Sequence, residues 1–133
     1  MSHAFTIAAK IPALRRHAYL LTGSRAVADN AVETCLRALP RTSDGTPPHH
    51  IDDYTLHRLL HDALDPAPDP TVSMAPSSLR CLLLLPRVQR KLLLLVTLDH
   101  LSLADAADIV GLELDVAARH LNAARSQFRA LVA

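Results

Sequence analysis

Residues 86–131 read PRVQRKLLLLVTLDHLSLADAADIVGLELDVAARHLNAARSQFRAL, and this stretch decides the fold. It parses as three helices with a tight turn between the last two. Ser102 followed by Asp105 is a capping-box start, because a hydroxyl accepts from an orphan N–H while a carboxylate reaches back. Leu103, Ala106, Ala107 and Val110 form one apolar stripe at helical spacing, and Gly111 supplies a residue that can turn left-handed at a helix end. A second helix restarts near Asp115, with Ala117, Leu121, Ala124, Phe128 and Leu131 as its buried stripe. The result is a helix-turn-helix. In a DNA reader, the first turns of the second helix carry long polar or basic side chains, because they meet base edges and phosphates. Here those turns offer Asp115, Val116, Ala118 and Arg119, so the chemistry of a reading face is mostly missing.

The totals agree. A chain of 133 residues holds one ordinary domain or two very small ones, and with 50% hydrophobic residues it is not disordered. Lys plus Arg is 14 against 13 Asp plus Glu, a formal charge of +1 without the basic excess of a dedicated nucleic-acid binder. Cys35 and Cys81 each fall on an apolar helical stripe with no ligand at metal spacing. They read as buried free thiols, which suits a cytoplasmic location. Met1 to Ala9 lacks a charged leader followed by an apolar core, so no signal peptide is expected. The apolar run LRCLLLLPRVQRKLLLLVTL is broken by Pro86, Arg87, Gln89, Arg90 and Lys91, so it predicts two short buried helices rather than a membrane span.

Outward from the helix-turn-helix, the remainder is also helical. Ala4 to Ala9 is a short apolar piece, and Pro12 fits the first turn of a new helix. That helix places Leu14, Ala18 and Leu21 on one face and Arg15, Arg16 and His17 on the other. Gly23 closes it and Ser24 caps the next, whose stripe is Ala28, Ala31, Val32, Cys35, Leu36 and Leu39. Pro40 ends that helix, and RTSDGTPPHH is a loop by composition. A third helix over residues 52–64 places Leu56, Leu59, Leu60, Ala63 and Leu64 on one face. Alternating prolines then make a linker, since they cannot continue a helix. No segment alternates with period two. The expectation is an all-α chain of two small helical bundles, 1–64 and 77–133, joined by a Pro-rich linker at 65–76.

Bundles so joined, with a helix-turn-helix in the second, resemble the minimal extracytoplasmic-function sigma factors. PALRRHAYLLTGSRAVADNAVETCLRAL is similar to the start of sigma region 2, and LPRVQRKLLLLVTLDHLSLADAADIVGLELDVAARHLNAARSQFRALV to sigma region 4. The closer resemblance is to the sigma-like domain of PhyR, the response regulator of the alphaproteobacterial general stress response. It runs through the Leu-Thr-Gly-Ser turn, Asp29, Val32 and Leu36, and through Leu56, Arg58, Leu59 and His61 of TLHRLLHDAL. A working sigma factor needs an acidic-amide patch for polymerase, aromatic and basic residues for promoter melting, and a basic recognition helix. Here the second helix offers Asn30, Glu33 and Thr34, no Lys/Arg run follows the third, and the chain has two Phe and two Tyr.

The resemblance implies a sigma-factor mimic, an anti-anti-sigma factor that binds a small helical anti-sigma factor of the NepR type and so frees the stress sigma factor by mass action. Weak or absent DNA binding and no membrane contact follow. The implied contacts are Leu112, Leu114, Val116 and Arg119 around the turn, and Asp29, Glu33 and Arg58 on the first bundle. For Leu112, Leu114 and Val116, packing against residues 87–99 is the open alternative. A phosphorylated C-terminal receiver domain controls PhyR, and the residues up to Ala133 do not include one, so that switch is not carried over. A stand-alone mimic, a domain of a longer protein and a relative switched in trans therefore stay open. The competing reading is a divergent extracytoplasmic-function sigma factor or helix-turn-helix regulator that binds promoter DNA and RNA polymerase. His57 and His61, four apart with His49 and His50 before them, have a spacing that can hold metal. Without Cys or carboxylate partners they read as surface or boundary histidines, and no metal or cofactor is expected. Asp52-Asp53 reads as a helix N-terminus attracting acids. Arg15-Arg16 and Arg87, Arg90 and Lys91 read as solvated faces. No nucleophile sits with a base, so no enzyme is expected.

Overall fold

The structure is a computed structural model that describes residues 7–41, 45, 51–68, 75 and 77–132. It is all-helical among these residues: α1 (Ile7–Thr22), α2 (Arg25–Arg37), α3 (Asp53–Leu64), α4 (Ser77–Leu83), α5 (Arg87–Leu93), α6 (Leu103–Val110) and α7 (Leu114–Val132). The loop histidines His49 and His50, Ala4 to Thr6 and most of the Pro-rich linker lie outside the described residues.

Local chemistry sets the helix ends. Gly23 takes φ +72 after α1, and the Ser24 hydroxyl accepts from the Val27 N–H at 3.2 Å to start α2. The Asp52 carboxylate does the same for α3 through the Thr55 N–H, and that bond holds its carboxyl below the usual range. Pro12 stands inside α1 rather than in its first turn, because the helix begins at Ile7. Its ring faces outward, where water can take the carbonyl that lacks its N–H partner.

α1, α2 and α3 pack around Leu14, Ala18, Leu21, Ala28, Val32, Cys35, Leu56, Leu60 and Leu64, all essentially sealed from solvent. The second half closes α5, α6 and α7 around Leu92, Leu95, Ala106, Ala117, Leu121 and Ala124. The two bundles share one continuous apolar core. The α7 stripe is shorter than its spacing suggests: Phe128 is half-buried and Leu131 exposed at the helix end. Cys35 is buried as expected, but Cys81 is only half-buried.

Polar groups stitch the halves together, and here the sequence reading needs correcting. Arg87 and Arg90 are not solvated. Arg87 spans the two bundles, donating from Nη1 to the Ala67 carbonyl at 2.8 Å and from Nη2 to that of Leu64 at 2.7 Å, so it caps the C-terminus of α3. Arg90, 3% exposed, donates to the carbonyls of Leu83 and Leu85 beyond α4. These guanidiniums serve carbonyls at and just past the ends of α3 and α4, that of Leu64 also accepting from the Ala67 N–H at 2.9 Å. Lys91 pairs with Asp65.

α5 does not end at Leu93. It continues as a π-helical stretch, Leu94–Leu98, closed by the Asp99 N–H on the Leu94 carbonyl at 3.0 Å. His100 follows in the left-handed region, φ 59. Together they turn the chain toward α6 and leave the Asp99 side chain pointing at α1, where it meets His17.

Candidate functional site

The helix-turn-helix forms as its sequence dictates. The Ser102 hydroxyl accepts from the Asp105 N–H at 3.1 Å, and Gly111 leaves α6 at φ +84. The Gly111 N–H bonds the Asp108 carbonyl at 3.2 Å and the Leu112 N–H that of Ala107 at 2.9 Å, the double closure of a left-handed helix end. Three residues on, α7 begins, with Ala117 and Leu121 buried against the core.

The outward part of that first turn is apolar and acidic. Leu114 is 55% exposed, Glu113 and Asp115 are exposed, and Val116 and Ala118 are half-buried. Arg119 is exposed one turn further along. A helix N-terminus attracts anions through its free N–H groups and dipole, and two carboxylates here oppose that attraction toward phosphate. Of the turn residues, Leu112 packs partly on the core, whereas Leu114 is exposed.

Arg58 reaches the helix-turn-helix through α6. On α3 it donates from Nη1 to Tyr54 Oη at 2.6 Å and to Asp108 Oδ2 on α6 at 3.0 Å, and Tyr54 also donates to Asp108. This exposed Tyr-Arg-Asp bridge brings α3 beside the helix-turn-helix. Tyr54 and Arg58 sit four apart, but their partner Asp108 is 50 residues away in sequence and only tertiary packing finds it. Asp29 and Glu33 form a separate patch on α2. Asp29 faces Arg15 at 3.5 Å, and Glu33 pairs with Arg37 along the helix. Beside Asp29 lies a shallow cleft of about 390 Å³ lined by Arg15, Arg16, Tyr19, Arg25 and Ala28, with the Arg25 guanidinium 5.2 Å from the Tyr19 ring centre. The named residues thus make two patches, one on the helix-turn-helix and α3, the other on the α1–α2 edge.

A third grouping was not legible. His57 and His61 are not surface histidines: with His17 they are 4%, 2% and 0% exposed. His17 was placed on the polar face of α1, yet three residues after Leu14 and four before Leu21 it falls on the buried side. Its Nδ1 lies 2.6 Å from Asp99 Oδ2 and its Nε2 2.8 Å from His61 Nε2. An ionised Asp99 accepts, so His17 donates from Nδ1 and its Nε2 accepts from His61. Desolvation brings His57 down to about 4 and holds His61 well below its ordinary range, so both stay neutral at pH 7. His17, His57 and His61 each bring a ring nitrogen within 4.8 Å of the others, the spacing of a set that could hold a metal ion.

Residues 7–61 match the family model of the Sigma2 domain of PhyR. No curated protein matches the chain in sequence. Among solved structures, the chain is similar to the sigma factor RpoE from Bartonella quintana, in complex with the anti-sigma factor NepR. The identity is 19% and the TM-score 0.73, over 95% of this chain and 93% of that one. It is also similar to the anti-anti-sigma factor PhyR from the same organism, complexed with NepR, at 23% identity and a TM-score of 0.61. That match covers 90% of this chain and 47% of PhyR, so the chain spans about half the PhyR length. The fold is that of a sigma factor, and its first half carries the PhyR-type sigma2 pattern. No helix among the described residues is long and apolar enough to cross a membrane.

Proposed function

We propose that this PhyR-type sigma-like chain is a sigma-factor mimic. It binds a NepR-type anti-sigma factor, occupies the surfaces that would otherwise hold the general stress sigma factor, and releases that factor by mass action in the cytoplasm. The observation that carries this reading is the first turn of α7: the helix-turn-helix geometry is intact, but Leu114 and Val116 stand among Glu113 and Asp115 where a DNA reader needs cations. Such a face repels phosphate and offers apolar contact to an amphipathic helix of a partner. The α1–α2 edge around Asp29, Glu33 and the Arg15–Tyr19 cleft provides a second contact on the other bundle, and Arg58 and Arg119 provide polar contacts at the rim of the first.

The test is reconstitution. Purified chain is mixed with the NepR-type protein of its organism, with and without the cognate sigma factor, and complexes are resolved by size exclusion and titration. Expected is a one-to-one complex that displaces the sigma factor and survives moderate salt. Leu114→Glu and Val116→Glu should each weaken it at least about tenfold, the loss typical of a truncated or charged apolar anchor. Absence of a complex, with specific retention of promoter DNA or core polymerase, would refute the mimic and establish a divergent sigma factor.

A further inference from the structure

His17 is satisfied at both nitrogens by Asp99 and His61, but its neighbours are not. His61 Nδ1 and His57 Nδ1 have no hydrogen-bond partner among the described residues, although both atoms are buried. The remaining nitrogen of His57 comes no closer to Asp99 Oδ1 than 3.9 Å. His61 keeps one hydrogen bond, to His17, but a buried imidazole nitrogen left without a partner loses solvation for no return, and a pure hydrogen-bond network would not recruit two of them. Three imidazoles meeting in one place have a different common use.

The geometry points to a binding site for a divalent transition-metal ion of the Zn²⁺ class, held by one ring nitrogen each from His17, His57 and His61, in the joint between the two bundles. Zinc takes imidazole nitrogens at about 2.0–2.1 Å in a tetrahedron, which separates the nitrogens by about 3.3 Å. The ligand atoms here lie within 4.8 Å of one another, and the closest pair is at 2.8 Å, so shifts of about 0.5–1.5 Å in side-chain position build the site from this starting geometry. The rings are ready for the role, since burial keeps His57 and His61 neutral and no proton has to leave a charged imidazolium.

Asp99 supplies the orienting partner. A metal-bound imidazole usually gives its other N–H to a carboxylate, which fixes the tautomer and strengthens the ligand, and the 2.6 Å contact of His17 Nδ1 with Asp99 Oδ2 is that arrangement. The second oxygen, Oδ1, faces His57 at 3.9 Å, so the carboxylate lies beside the ligand set as its orienting partner and water completes the tetrahedron. The ion has a way in, because a cleft of about 270 Å³ opens between α1, α3 and the turn after the π-helical stretch, with His57 and Asp99 on its wall. Lys10, at the same cleft, is paired with Asp53. The histidines come from α1 and α3 and the aspartate from the second bundle, so a bound ion would fasten α1 to α3 and tie to the second bundle through the His17–Asp99 hydrogen bond.

The experiment uses the full chain after chelator treatment, titrated with Co²⁺ and then Zn²⁺. Expected is one Co²⁺ per chain with the intense visible absorption of a tetrahedral site, displaced by Zn²⁺, and a higher Tm with either metal. His61→Gln should lower the affinity more than about 100-fold, and Asp99→Asn, which leaves the ligands in place, about 10–100-fold. Far-UV circular dichroism establishes that both variants are folded. A His49→Gln/His50→Gln double variant should bind like the parent. Failure of the parent chain to take up one tetrahedral Co²⁺ overturns the site whatever the variants do. So does binding that survives His61→Gln and vanishes in the loop double variant.

Discussion

Replacing Arg87 with methionine removes the guanidinium that joins the second bundle to the end of α3 while keeping most of the side-chain volume. Two charge-assisted hydrogen bonds are lost, at 2.8 Å to Ala67 and 2.7 Å to Leu64, together with a cation at a helix C-terminus. Hydrogen bonds to a charged group are worth about 1.5–3 kcal/mol each, and the cation adds about 0.3–1 kcal/mol. The site is only part-buried, so water takes over some of the freed carbonyl capacity, and the expected net loss is about 2–3 kcal/mol rather than the full sum. For a chain of this size that lowers the Tm by about 8–12 °C. Urea and thermal unfolding measured by circular dichroism provide the assay. Arg87→Lys should recover less than half the loss, because an ammonium cannot reach two carbonyls with one planar fork. A methionine variant within about 0.5 kcal/mol of the parent would refute the claim that this fork carries the joint.

Other outcomes follow from single features. In native protein Cys35 should resist alkylation, because burial pushes its thiol up to about 11, and it should react only in denaturant, as peptide mass mapping would reveal. Gly111→Ala should cost about 1–2 kcal/mol through its left-handed φ alone, since nothing lies within 4 Å of an added methyl group, while Gly111→Asn should cost less; urea midpoints test both. The metal-free chain should lose stability on acidification. His57 titrates near 4 when folded and near 6.5 when unfolded, held down by burial and by His17, with Lys10 adding to the effect and Asp99 and Asp53 opposing it. The unfolded state therefore binds the proton first, the stability contribution is full above about 6.5 and is lost as the pH falls toward 4, and about 2 kcal/mol should be gone by pH 5. Flat urea midpoints between pH 7.5 and 5 would contradict this.

Much of the fold was legible because it is locally encoded. Ser24, Asp52 and Ser102 cap the helices they precede, and Gly23 and Gly111 turn where a left-handed residue is required, all within four residues of sequence. The sigma-like segment order and the odd composition of the recognition helix were readable for the same reason. Three readings failed where the answer depends on distant partners. Arg87 and Arg90 looked solvated because charge argues for solvent, but the fold brings carbonyls at the ends of α3 and α4 within reach of their N–H groups. His17 was assigned to a polar face by residue type, although its position on α1 is a core position. His57 and His61 read as surface or boundary histidines, but packing of α3 on α1 closes over both.

The sequence by itself determined that the chain is helical, where α2, α3 and α6 begin, and that the face expected to read DNA is apolar and acidic. These properties rest on spacing, capping and side-chain chemistry within a turn or two. Only the tertiary structure decided that Asp108 meets Arg58, that Arg87 closes α3, and that His17, His57, His61 and Asp99 converge in one buried joint. Those residues are up to 82 positions apart, and what brings them together is the burial of both bundles' leucines in a single core, which carries no mark in any short stretch of chain.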